Sequence, residues 1–358
     1  MGELLLGLVF LIGCSSNHKE NTYDSVISEF QKDGFNGNVL VAQNGEIVYQ
    51  SSFGISDIEP IDSLTINAQF RLASVSKQFT AMCILSLVAE GKLEIDDSLT
   101  KYIPELPYEG ITIRNLLNHT SGIPDYERLL IDKWRTDLAI NNRDRFISGN
   151  NTIIDMLIEY APEISFPPGD EWEYSNTGYV LLASIVKRVS GLSFPEYLDQ
   201  YVFTPAGLKN TLVFDPVNGS EMNQQVRGLR IVNGEYKYND IHFLNPVQGD
   251  GGIYSTLGDL FLWNEFLYNQ TIIPDSLLQL AYTPGKLNNG EETSYGFGWG
   301  IGVAPDGSKV LSHSGGWVGF STFIYRDIEH QHCIIILTSN GSSEVRDVLS
   351  NLKLIMYE

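Results

Sequence analysis

Phe70-Arg71-Leu72-Ala73-Ser74-Val75-Ser76-Lys77-Gln78-Phe79-Thr80 leads into an apolar helical stretch that runs to Ala89 and stops near Gly91. Ser74 is therefore expected at or near a helix N-terminus, with Lys77 three residues on. Positions i and i+3 share one helix face. A lysine held there and partly desolvated can exist as a free amine that accepts the seryl proton. The helix dipole and the exposed N–H groups would also favour an oxyanion beside Ser74. A Ser-x-x-Lys pair alone is weak, because an N-cap serine followed by a solvated lysine looks the same. Its weight depends on what accompanies it.

Two further stretches do. Tyr174-Ser175-Asn176 follows the Pro167-Pro168-Gly169 turn and precedes a helix expected from Gly178, which fixes a phenol and an amide on a loop. Such groups can relay protons and orient substrate and lysine. His313-Ser314-Gly315-Gly316 ends an expected strand, and a glycine-rich strand end lets a substrate backbone approach closely. Taken singly, the tyrosine reads as a half-buried aromatic and the glycine pair as a hairpin turn.

Around these stretches, strands bracket helices. Asn38-Val39-Leu40-Val41-Ala42 and Glu46-Ile47-Val48-Tyr49-Gln50 flank the Asn44-Gly45 turn pair, after an amphipathic helix over 23–32. Helices are expected over 76–89, 112–118, 151–160, 178–189 and 260–267. Strands return at 295–303, 309–313, 319–326 and 332–338, before a last helix from about 343. The expected fold is α/β (α+β), with one antiparallel sheet built from both chain ends and flanked by helices. A mainly helical region is inserted, and a cleft lies at the seam. Within a domain spanning 25–358, the sheet subdomain covers about 25–72 plus 290–358 and the helical subdomain about 73–289. Residues 141–151 read as a polar loop that could overhang the cleft.

In this order, the three motifs resemble the β-lactamase and penicillin-binding-protein superfamily, whose signature is Ser-x-x-Lys, Tyr/Ser-x-Asn and Lys-Thr-Gly. The likeness is strongest to the class C β-lactamase-related branch of serine hydrolases. It extends through Leu116-Leu117-Asn118-His119-Thr120-Ser121-Gly122, Pro168-Gly169 and Gly249-Asp250-Gly251-Gly252-Ile253-Tyr254-Ser255-Thr256, over about residues 25–340. The resemblance implies a β-lactamase/transpeptidase-like fold in which Ser74 attacks a carbonyl while Lys77 and Tyr174 share the proton transfers. Asn176, His313 and Gly315 would bind or orient substrate, and the N–H groups of Ser74 and Gly316 would form the oxyanion hole. Water would release the acyl-enzyme.

His313 departs from the pattern, which has lysine there. Lysine can bind the carboxylate of a β-lactam or a peptide terminus, whereas an unperturbed histidine is mostly neutral at pH 7. Hydrolysis of small esters, amides or D-amino-acid peptides is therefore expected ahead of a true β-lactamase or DD-carboxypeptidase. A non-catalytic lipoprotein that binds penicillin or wall fragments is the alternative from another class.

Other residues carry less. No Gly-x-Ser-x-Gly elbow accompanies His119 and Asp125, so a conventional triad is not expected, and Asp250 reads as a turn cap. His330 and His332 read as solvated hairpin residues. Cys83 and Cys333 lie in apolar runs and read as free core thiols. No cysteine or histidine spacing suits a metal, and no cofactor is implied. With 44 acidic against 23 basic residues the net charge is −21, which disfavours a nucleic-acid partner. At the beginning, an apolar run over 4–13 ends at Leu11-Ile12-Gly13-Cys14, although its leading segment has Glu3 in place of a basic residue. That pattern reads as a bacterial lipoprotein signal over 1–13, with Cys14 lipidated and a polar tether over 14–24. An exported, membrane-anchored protein acting on a small molecule or peptide is expected.

Overall fold

The Asn44-Gly45 pair closes a hairpin between β1 (Gly37–Gln43) and β2 (Glu46–Phe53), both turn residues taking the positive φ that such a turn requires. Near the other chain end, β3 (Gly300–Val303), β4 (Lys309–Trp317), β5 (Phe320–Asp327) and β6 (His332–Thr338) form an antiparallel meander. β6 pairs with β1, Leu40 opposite Ile335, so the six strands make one sheet in the order β3-β4-β5-β6-β1-β2. The computed structural model describes residues 13–129, 149–215, 225–341 and 344–358.

Successive side chains of a strand face opposite sides, and here both sides are covered. Leu40, Ala42, Cys333, Ile335 and Leu337 enter the larger core, while Val39, Val41, Ile334 and Ile336 enter a second one. The second core lies under α1 (Gly13–Lys32) and the C-terminal helix Val345–Tyr357. Residues 14–24, expected as a polar tether, are thus part of α1. No glycine or proline interrupts 14–32, and the fully buried Tyr23 packs its ring 5.5 Å from that of Tyr49.

On the other face sit α2 (Lys77–Ala89), α3 (Ile113–Leu117), α4 (Asn150–Tyr160), α5 (Asn176–Ser190) and α6 (Leu257–Phe266). α2 is buried without interruption from Lys77 to Leu87, as befits a helix apolar on all sides. It packs against α5, and the Phe79 ring meets Trp263 of α6 at 4.7 Å.

Several boundaries differ from expectation. The strand expected over 295–303 begins at Gly300, because the preceding loop presses on α2. A Cβ on Gly298 would stand 2.8 Å from Gln78 Cα. A small sheet of 70–71, 253–255 and 212–213, and hairpins pairing 55–58 with 61–63 and 229–232 with 235–238, were not expected. Elements of two to four residues show too little periodicity to be read. Cys83 and Cys333 are free and buried. His332 is buried rather than solvated and accepts the Asn44 N–H at 3.2 Å. His330 stays exposed, its Nδ1 3.0 Å from Asp327 Oδ2, a contact that raises its pKa above the ordinary value.

Replacing Tyr23 by alanine removes the aromatic that seats α1 on the sheet and is expected to cost about 3 kcal/mol. Urea unfolding would show a lower midpoint at unchanged slope, whereas an unmoved midpoint would mean that α1 does not hold the sheet.

Candidate active site

Residues 70–71 pair with 254–255, and the Leu72 N–H bonds Ile253 O at 2.8 Å, bringing the chain to the head of α2. Ala73 then takes φ +48°, a region that residues with a Cβ rarely enter, and a turn of 3-10 helix over Ala73–Ser76 follows. Ser74 therefore stands on a tight turn one step before α2 rather than within its first turn. β4 is pressed against this turn. Thr322 Oγ1 donates to Leu72 O at 2.7 Å, and a Cβ on Gly315 would lie 2.2 Å from the same oxygen. Gly315, expected beside the substrate, instead permits this contact, and it is Gly316 that lines the cavity with Ser74.

Lys77 is fully buried, and its Nζ meets three oxygens: Ser74 Oγ at 3.0 Å, Asn176 Oδ1 at 2.7 Å and Asp250 O at 2.8 Å. The amide and peptide oxygens can accept but not donate; the seryl hydroxyl can do either. Nζ donates to all three, and the short reach to Ser74 Oγ places the two groups for a proton exchange. Tyr174 presents its ring 4.9 Å from Nζ and Tyr179 at 5.4 Å.

The cavity is about 220 Å³, and its lining includes Arg71, Ser74, Glu127, Tyr174, Asn176 and Trp317. Asn176 is fixed from the 121–127 loop, Asp125 Oδ2 accepting its N–H at 2.7 Å and Glu127 Oε1 accepting from Nδ2 at 3.1 Å. Asp250, expected as a turn cap, directs its carboxylate to the Tyr126 hydroxyl at 2.8 Å, while its backbone oxygen holds Lys77. Burial, then the charges of Asp125 and Asp250, push Glu127 up to about 7, and burial also raises Asp250. Asp125-Tyr126-Glu127 was missed as a unit; a polar–aromatic–acidic run just after Ser121-Gly122-Ile123-Pro124 was the available signal.

His313 does not reach the cavity. Its Nδ1 donates to Ser314 O at 2.6 Å, which leaves Nε2 to accept from the Tyr295 hydroxyl at 2.8 Å. Burial, then the charge of Lys77, bring its pKa down to about 3, so the ring is neutral. His119 is buried behind Tyr174, with ring centroids 4.3 Å apart, and accepts the Ser175 N–H through Nδ1. It props the tyrosine loop and stands in no triad. Of residues 141–151, 141–148 lie outside the described residues; Asn150 Nδ2 bonds Gln248 O at 2.9 Å.

A serine facing a buried lysine amine, with a tyrosine over that amine, is the equipment of a serine hydrolase that acylates itself. This chain is one, and the Beta-lactamase family profile matches its residues 24–355, so it belongs to that family. It is 37% identical over 327 residues to a penicillin-binding protein of Bacillus subtilis (strain 168), covering 86% of this chain and 69% of the relative. A D-aminopeptidase of Brucella anthropi is 26% identical over 329 residues, covering 90% of this chain and 59% of its own length. The crystal structure of a penicillin-binding protein from Bacillus halodurans matches with a TM-score of 0.79 at 25% identity, covering 93% of this chain and 98% of that one. The fold is thus β-lactamase/transpeptidase-like, as the sequence motifs implied.

Glu127 makes stability depend on pH in a definite direction. The folded carboxyl keeps its proton up to about pH 7, whereas the unfolded one releases it near 4.5. The native state therefore loses stability as pH rises through that window, by on the order of 3 kcal/mol. Glu127→Gln should gain on wild type as urea unfolding is repeated from pH 5 to 8. A difference that does not change with pH would show an ordinary carboxylate there.

Proposed function

We propose that the chain hydrolyses small amides, esters or peptides built on D-amino acids through an acyl-enzyme on Ser74. What carries this reading is Lys77 Nζ, 3.0 Å from the seryl oxygen and otherwise bonded to acceptors. Ser74 Oγ attacks the substrate carbonyl as its proton passes to Nζ, and the oxyanion is met by the N–H groups of Ser74 and Gly316. The C–N or C–O bond then breaks, the leaving group taking a proton relayed from Lys77 through the Tyr174 phenol. Water, deprotonated by the same pair, cleaves the seryl ester and restores the hydroxyl. Asn176 holds Nζ in line.

Glu127 supports an amino-acid acyl group. The Glu127 carboxyl at the cavity wall, held up to about 7 by burial and by Asp125 and Asp250, is drawn to its ionised form and gains a partner when a substrate ammonium enters. The similarity to a D-aminopeptidase agrees with such a substrate. A second reading, slow turnover of a bound penicillin, is favoured by the similarity to a penicillin-binding protein. The neutral, turned-away His313 supplies no cation for a β-lactam carboxylate, which places this reading second.

Turnover of D-amino-acid amides, D-alanyl-D-alanine peptides, short-chain nitrophenyl esters and nitrocefin should separate these readings. D-amino-acid amides or the esters are expected to lead, and Ser74→Ala to lower kcat at least about 10³-fold. Ser76→Ala, whose hydroxyl accepts the Ile253 N–H, should stay near wild type. Turnover that survives in Ser74→Ala would end the proposal.

We also propose export and anchoring through a lipid on Cys14, supported by the apolar run that ends at Leu11-Ile12-Gly13-Cys14. Expressed in a bacterium, wild type should fractionate with membranes and incorporate labelled palmitate. Cys14→Ala should do neither; palmitate labelling in that variant would refute the anchor.

A further inference from the structure

Arg71 lies three residues before Ser74 and lines the same cavity, with 3% of its surface exposed. A guanidinium carries five N–H donors. Here Nη2 makes one long contact, 3.5 Å to Asn245 O, while Nε and Nη1 are sealed from solvent without a hydrogen-bond partner. Arg326, as deeply buried, shows what a satisfied structural arginine looks like: all three of its nitrogens donate, to Asn264 and Tyr282. A buried cation left short of acceptors is costly, so its retention at the cavity wall points to a ligand.

The surroundings of Arg71 are built. The rings of Trp317 and Tyr254 lie 5.5 and 6.0 Å from its Cζ, and the Tyr254 hydroxyl is a side-chain partner of the guanidinium, but neither residue brings an anion and Nε and Nη1 stay without an acceptor. Asn245 ties the group together, its Oδ1 accepting from Trp317 Nε1 at 2.7 Å, its backbone oxygen facing Arg71 and its Nδ2 donating to Asp240 O at 2.8 Å. Asp250 feels the Arg71 charge but gives its carboxylate to Tyr126. Leu244 and Val247 add apolar wall, suited to methylene groups.

We propose that Arg71 is a carboxylate-binding subsite that recognises a second carboxylate on the acyl part of the substrate. The acyl groups selected are those of dicarboxylic acids or acidic amino acids. The side follows from β4. His313 precedes the Gly316 oxyanion position and is neutral, so a leaving-group carboxylate finds no cation there. Trp317 follows Gly316, and it is at this end that the unsatisfied cation stands. A carboxylate can meet two guanidinium donors at once.

The inference rests on the acyl-transfer reading of this cavity, and one experiment distinguishes their failures. Mono-nitrophenyl glutarate and succinate are compared with the neutral nitrophenyl valerate and butyrate. For wild type, kcat/KM should favour the carboxylated ester of each pair at least about ten-fold, equivalent to about 1.4 kcal/mol, despite the −21 net charge that repels anions. Arg71→Met should bring the ratio to one or below, and Arg71→Lys, which keeps the charge but loses the fork, to an intermediate value. If Arg71→Met does not fold, the wild-type and Arg71→Lys ratios decide. A wild-type ratio of one or less, or a ratio that the substitutions leave unchanged, overturns the subsite alone. Failure of wild type to turn over any of the four esters overturns the subsite alone if D-amino-acid amides are still hydrolysed, and the acyl-transfer reading with it if they are not.

Discussion

The Lys77 amine is the node on which the rest of the site depends. Its three oxygen partners come from three segments that the chain keeps far apart: the turn before α2, the first residue of α5 and the loop before strand 253–255. An amine sealed inside a protein without acceptors is strongly destabilising, so satisfying it fixes those segments against one another. A further ring of contacts holds the acceptors themselves. Asp125 takes the Asn176 N–H, and Tyr126 donates to Asp250. The 121–127 loop touches Ser74 nowhere among these bonds, yet it determines where two of the lysine's acceptors stand.

That arrangement polarises the cavity. Asp250 and Glu127 crowd around the lysine, each raised by burial and by neighbouring acids, with Lys77 offsetting part of the repulsion. Arg71 carries positive charge in the same cavity, framed by Trp317 and Tyr254. A site with acid and base separated in a small volume orients a substrate bearing charges of both signs, and apolar wall from Leu244 and Val247 fills the interval. The overall charge of −21 has little part in this, since exposed charges are screened within about 10 Å at ordinary salt.

The sheet and the Ser74–Lys77 pair could be read in the sequence because their signals are local. Asn44-Gly45 specifies a two-residue hairpin, the continuous apolar run of β6 specifies a strand buried on both faces, and Ser74 and Lys77 are one turn apart. Residues whose role exists only after folding were not legible in that way. Gly315 looks like a substrate-approach glycine until Leu72, 243 positions earlier, is seen lying against it. His313 looks like a substrate contact until Tyr295 claims its second nitrogen. Arg71 looks like an ordinary strand-end cation, because a shortage of acceptors around Nε and Nη1 is a property of three dimensions. The tether expected over 14–24 failed for a simpler reason: polar composition does not stop a helix when no glycine or proline interrupts it and Tyr23 finds a buried seat.

The contact between β4 and the Ser74 turn links fold to chemistry most directly. Gly316 belongs to a strand of the sheet, whereas Ser74 belongs to the start of the helical core, so the two share a cavity wall only while the layers stay closed. Thr322 holds Leu72 O, and Gly315 has no side chain to keep β4 away. Ala73 at φ +48° shows the turn held in a conformation it would leave if released. Any loosening of the sheet against α2 would therefore relax that residue and separate the two N–H groups together. Both faces of the sheet are covered, and the two chain ends pack together on the face away from Ser74, so β4 is backed on the side opposite the turn it meets.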